Sequence, residues 1–123
     1  MDLRTVNVIS LAYLGDSVYE LYIRESLIKK GLVYVDDMQK EAVNYVSAKA
    51  QSNILDDMIE NNFLSEKELD IVKRGRNYKR NTHPKNTDII TYKKSSGFEA
   101  LIGYLYLKDL DRLKEVFNYI EVK

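Results

Sequence analysis

Two acidic residues are placed where carboxylate chemistry is possible. Asp16 follows a glycine in the apolar run LAYLGDSVYE (11–20), and Glu99 is embedded among apolar residues in GFEALIGYLYL (97–107). The chain of 123 residues has one histidine, His83, and no cysteine. A thiol nucleophile, a thiolate metal site and a multi-histidine phosphohydrolase centre are therefore excluded. A Ser-His-Asp site would have to use His83, which lies in a basic stretch without a GxSxG-like context. No Gly-rich phosphate loop is present. What remains is a pair of carboxylates. Oxygen ligands suit Mg²⁺, which takes one or two carboxylates together with waters and substrate phosphate oxygens.

Both acids also have a plainer reading. Asp16 and Glu20 are four apart, so a helix puts them on one face, where they would form a solvated acidic patch beside an incidental glycine. Glu99 would pair with a nearby Lys or Arg at a helix boundary. Against this stands the cost of glycine inside a helix, about 1 kcal/mol relative to alanine, which asks for a packing reason. Gly15 lies beside Asp16, and Gly103 lies four after Glu99. Two such glycines point to helices packed closely enough to bring the carboxylates together. A buried acid needs a partner, and a cation shared with Asp16 would supply one.

The elements that must position these residues read as helices. From Leu11 to Lys30 the apolar residues at 11, 14, 18, 21, 22 and 28 recur at helical spacing. Ser10 is the expected cap and Gly31 the stop, with Asp2 or Thr5 capping a short segment before it. After a linker at 32–35, one long helix is expected from a cap at Asp36 to about Asn61. Ser65-Glu66-Lys67-Glu68 fits a capping box, with Leu64 and Leu69 as its hydrophobic staple. That short helix runs into Lys73-Arg74-Gly75, and the stretch from Gly75 to Thr87, holding the single proline, reads as a loop. Asn86 or Thr87 is expected to cap a helix to about Leu107, with Phe98, Leu101, Ile102, Leu105 and Tyr106 on its apolar side. Asp109 should cap the last helix, with Leu110, Leu113, Phe117 and Ile120 inward. The architecture is an all-α bundle in a single domain.

Formal net charge is zero, yet the charge is unevenly spread. Between Lys73 and Lys94 there are eight Lys or Arg against one acid, Asp88, leaving eleven bases and eighteen acids elsewhere. A local positive field on an acidic body is what phosphate contacts need. A solvated turn is the plainer alternative. No apolar run approaches the roughly 20 residues of a membrane span, and the N-terminus lacks a signal-peptide core. The expectation is a cytoplasmic protein without membrane partners.

With both acidic segments and the basic stretch in view, the sequence resembles the ribonuclease III catalytic domain, and more closely the short bacterial Mini-ribonuclease III branch. LAYLGDSVYE matches the first family signature, GFEALIGYLYL the second, and RGRN (74–77) with HPKNTD (83–88) the loop between them. The resemblance spans essentially the whole chain and leaves no residues for a separate double-stranded-RNA-binding domain. It implies a ribonuclease III endonuclease-like helical bundle that hydrolyses phosphodiester bonds of double-stranded RNA with Mg²⁺ or Mn²⁺. It also implies a homodimer with two active sites, and maturation of the 23S ribosomal RNA precursor, a ribosomal protein helping to present that substrate. Asp16 and Glu99 then correspond to the catalytic, metal-binding carboxylates. The larger enzymes carry two further carboxylates, at the positions of Ala12 and Ser96 here, and Glu20 is a candidate outer partner. Arg74, Arg76, Lys79, Arg80 and Lys85 are the expected phosphate contacts, with Asn77 reading a 2′-hydroxyl, because duplex RNA is recognised by shape, phosphates and 2′-hydroxyls. The apolar faces around Gly15 and Gly103 are candidate dimer surfaces. Rival readings are a non-catalytic helical RNA-binding module that uses the same basic loop, and a helical partner of another protein.

Overall fold

The computed structural model describes residues 2, 3, 5–79, 85 and 87–122, which form six α-helices and no strand. In chain order these are α1 (Val8–Lys30), α2 (Val35–Val46), α3 (Ala48–Glu60), α4 (Glu66–Asn77), α5 (Ile89–Lys108) and α6 (Leu110–Ile120). A helix that is apolar around most of its circumference belongs inside, and α5 is one: Ser95–Phe98 and Ala100–Leu105 are all buried. It packs against α1, α4, α3 and α6. The all-α reading holds.

Glycines set how closely the neighbours approach α5. A Cβ added to Gly15 would lie 1.8 Å from the Glu99 carbonyl oxygen, and one on Gly103 would lie 1.9 Å from that of Leu11. On the opposite flank, a Cβ on Gly97 would meet the Val72 carbonyl oxygen at 2.7 Å, and one on Gly75 would meet Gly97 Cα at 2.9 Å. Backbone therefore touches backbone where α5 crosses α1 and again where it crosses α4. Gly15 and Gly103 themselves are taken up by this internal contact.

On α1 the buried positions Leu11, Gly15, Tyr19, Ile23 and Leu27 recur every four residues. Leu21 and Ile28, counted toward the apolar stripe, are 64% and 60% exposed. Tyr19, missed because its hydroxyl argues for the surface, is fully buried and donates to the Tyr45 carbonyl at 2.9 Å. Burial pushes its pKa up, so the phenol stays neutral. Asn7, not Ser10, caps α1 by accepting from the Ile9 amide at 2.8 Å. Gly31 ends it in the left-handed region at φ 108°, as expected. Before it, Thr5 donates from both its amide and its hydroxyl to the Asp2 carbonyl, closing a turn.

The expected long helix from Asp36 is two helices. Ser47, at ψ 155°, ends α2 and caps α3, its hydroxyl accepting from the Ala50 amide. Asp36 lies in the first turn of α2, not at its cap, which is Tyr34. The Ser65 capping box is present, and the Glu68 that completes it also binds Arg112 of α6 at 2.8 and 2.9 Å. Burial works to raise the Glu68 pKa, but Arg112 and Ser65 outweigh it and hold the carboxyl below the usual glutamate value. Leu64 and Leu69 both join the core. Asp88, rather than Asn86 or Thr87, caps α5, and Asp109 caps α6 as expected. Tyr106 and Leu110 are exposed, whereas Val116, which was not foreseen, is fully buried. RGRN is helical, because α4 continues through Gly75 to Asn77. Of the expected loop, Arg80, Asn81, Thr82, His83, Pro84 and Asn86 lie outside the described residues.

Candidate active site

The crossing of α1 and α5 builds the site. Because Gly15 has no side chain, α1 rests on the Glu99 carbonyl, and the next residue, Asp16, is held beside the helix that carries Glu99. Both acids line one cleft of about 600 Å³, together with Tyr13, Gln51, Tyr92 and Ser95. Asp16 is exposed and Glu99 half-buried. The two further positions that the resemblance singled out are Ala12 and Ser96. Ala12 is buried and lines the cleft, while Ser96 is buried facing Gly75 of α4, where its carbonyl would stand 3.1 Å from an added Cβ. Ser95 is the serine that faces the cleft, and its hydroxyl donates to the Tyr92 carbonyl at 2.7 Å.

Glu20 does not join the pair. It binds Arg24 at 3.0 Å and lines a different groove, between α1 and α2. Among the described residues no group of three or more acidic, histidine or cysteine side chains is placed to hold a metal ion. The donor set is thus two carboxylates, and this fits a hard, strongly hydrated divalent cation that fills its remaining positions with water and substrate oxygens. A cleft of this size has room for such an ion with its waters.

Gln51 is the residue that sequence reasoning missed. It stands in the first turn of α3, is 2% exposed, and donates from Nε2 to the Val46 carbonyl at 3.1 Å and to Glu99 Oε2 at 3.4 Å. The only sequence signal that would have exposed it is Ser47 as a helix cap, which turns the start of α3 toward α5.

The expected RNA contacts divide. Arg76, half-buried, donates from Nε to Asn77 Oδ1 at 3.3 Å, which engages the amide oxygen expected to read a 2′-hydroxyl. Lys79 and Lys85 are exposed, and Arg80 lies outside the described residues. Arg74 faces a separate cleft of about 320 Å³ with Lys67, Asp70 and Lys108, away from the carboxylates. Tyr92 links the Asp16–Glu99 cleft to a small pocket formed with Gly75, Tyr78 and Lys93, so the end of α4 reaches its edge.

A six-helix bundle with an aspartate and a glutamate brought together by a glycine-mediated helix crossing is the arrangement expected of a ribonuclease III endonuclease domain. Residues 9–110 match the Ribonuclease III domain family, and the chain belongs to it as an endoribonuclease. Curated relatives are each named Mini-ribonuclease 3. That of Streptococcus pneumoniae is 45% identical over 97% of this chain and 94% of the relative. That of Symbiobacterium thermophilum is 47% identical over 93% and 87%. A crystal structure of a Fusobacterium nucleatum protein superposes with a TM-score of 0.84 at 34% identity, covering 97% of this chain and 94% of that one.

Proposed function

We propose that the protein cleaves double-stranded RNA in a reaction dependent on Mg²⁺, or Mn²⁺ in its place, and that its substrate is the 23S ribosomal RNA precursor in the cytoplasm. The observation that carries this reading is the shared cleft of Asp16 and Glu99. Asp16 and Glu99 would hold a divalent cation there, which would supply a bound water of lowered pKa and offset charge on the scissile phosphate. The protein's part is to hold two anionic oxygens on rigid helices at that point. Ser95 donates its hydroxyl proton to a backbone carbonyl and the chain has no cysteine, which suits a mechanism in which water is the nucleophile. The similarity to Mini-ribonuclease 3 proteins over nearly the whole chain supports endoribonuclease activity on double-stranded RNA; the ribosomal precursor, presented with the help of a ribosomal protein, is the substrate assigned in this proposal.

The active form is a homodimer. What supports this is apolar surface left open: no residue of α2 is buried, and Val35, Val43 and Ile28 remain exposed along the groove between α1 and α2.

The test is incubation of purified protein with a duplex RNA and its separated strands, with Mg²⁺ and with excess chelator. Cleavage of the duplex alone, abolished by chelator and restored by Mg²⁺ or Mn²⁺, is expected. Equal cleavage in chelator removes the cation from the mechanism.

Lys79, exposed just beyond α4, has an RNA role separable from the chemistry. Lys79→Ala should weaken duplex binding and lower the slope of log affinity against log salt by about 1. An unchanged slope takes Lys79 off the RNA surface.

A further inference from the structure

Gln51 occupies a position that demands two hydrogen-bond donors. Its side chain faces the Val46 carbonyl, the last of α2, and the Glu99 carboxylate, and both can only accept. The amide meets them with its NH₂ group. Its Oε1 is consequently left buried with no hydrogen-bond partner, the one such side-chain atom among the described residues. A buried acceptor without a protein partner carries a free-energy cost, which the two bonds made by Nε2 offset. Rotating the amide would not help, because Oε1 would then face two acceptors.

We infer that Gln51 is a positioning residue for the metal-binding carboxylate of Glu99. By holding Oε2 from the side of α3, it fixes the orientation of the carboxylate in the cleft it shares with Asp16. Residues that orient a metal-binding side chain through its second oxygen or nitrogen govern affinity without touching the ion. Glutamine suits this place better than lysine or arginine. Those also donate, but they bring a positive charge that would compete with the cation for Glu99. The same amide ties the end of α2 to Glu99, so the break at Ser47 is part of the site's construction: a continuous helix from α2 into α3 would carry residue 51 elsewhere.

The inference rests on the reading of Asp16 and Glu99 as a cation site, and the experiment separates the two. Mn²⁺ is titrated into wild-type protein, Asp16→Asn and Gln51→Met, with free Mn²⁺ followed by electron paramagnetic resonance. Methionine preserves length and removes both polar atoms. The expected result is Mn²⁺ binding by the wild type, loss in Asp16→Asn, and roughly 10–100-fold weaker binding in Gln51→Met. In cleavage assays the Mg²⁺ concentration for half-maximal rate should rise by the same factor, kcat should recover at saturating Mg²⁺, and KM for RNA should stay unchanged. Should Gln51→Met not fold, Gln51→Ala, which lets water reach the Val46 carbonyl, carries the same expectation. Wild-type protein that binds no Mn²⁺ overturns the cation reading and this inference with it. Wild-type binding that is lost in Asp16→Asn but unaltered at Gln51 overturns the inference alone.

Discussion

Asp16→Asn folds like the parent and loses cleavage of duplex RNA by about 10³-fold or more at any Mg²⁺ concentration. The two halves of this result have separate causes. Asp16 is exposed on α1, and asparagine matches its shape, so stability should change by no more than about 0.5 kcal/mol. The rate is another matter. With only two carboxylates in the cleft, substitution of one removes half of the anionic donor set. A cation contributes several kcal/mol of transition-state stabilisation, and each 1.36 kcal/mol is about a factor of ten. Melting temperature, gel-based cleavage rate and Mn²⁺ binding on the same preparation check both halves. Normal cleavage by a folded Asp16→Asn protein would dismiss the site assignment. A large loss of stability would instead show that Asp16 holds the structure together.

Much of this site was legible in the sequence because the two acids sit in strongly patterned helices. Leu11 to Lys30 and the helix around Glu99 are long and apolar, and Gly15 and Gly103 read correctly as packing glycines. Gly75 was read the other way, as the start of a loop, although it does the same work against Gly97. A glycine that turns the chain and one that admits a neighbouring backbone look alike in sequence, since both are the absence of a side chain. Ser47 was missed because the apolar spacing of Met38, Ala42 and Val46 continues in Ile54 and Met58 across the break, and periodicity cannot register one residue with an extended ψ. Gln51 was hidden with it. Leu110 was placed inward, and Leu21 and Ile28 counted toward an apolar stripe, because helical spacing marks such a stripe, while neighbouring helices decide how much of it is covered. The basic segment was recognisable by charge alone, but not that Arg74 turns into another cleft, because that depends on the rotation of α4 against α5.

Gly15→Ala is expected to cost more stability than its size implies and to damage catalysis as well. Alanine favours the helical state over glycine by about 1 kcal/mol, so at a solvent-facing helical position the change would stabilise. Here the new methyl stands 1.8 Å from the Glu99 carbonyl oxygen and 2.8 Å from the Gly103 nitrogen, against an ordinary contact of 3.4–4 Å. Neither atom belongs to a side chain that can swing away. The helices α1 and α5 must separate by more than an ångström along the crossing that fills the centre of the bundle. Overpacking of this kind costs typically 1–3 kcal/mol, and backbone against backbone places it at or beyond the upper end. After subtracting the helix-propensity gain, a net loss of about 2 kcal/mol or more remains, equivalent to a fall in Tm on the order of 10 °C for a domain of this size. The same separation moves Asp16 away from Glu99, and displacing a catalytic group by about 1 Å can cost 10²-fold in rate. Gly31→Ala is the control. At φ 108° it carries local backbone strain of about 1–2 kcal/mol, yet nothing lies within 4 Å of the added methyl, so stability should fall while kcat stays at the parent value. Thermal unfolding and cleavage rates measured below the melting transition decide the matter. A Gly15→Ala protein that matches the parent in both would mean that α1 and α5 do not meet through their backbones.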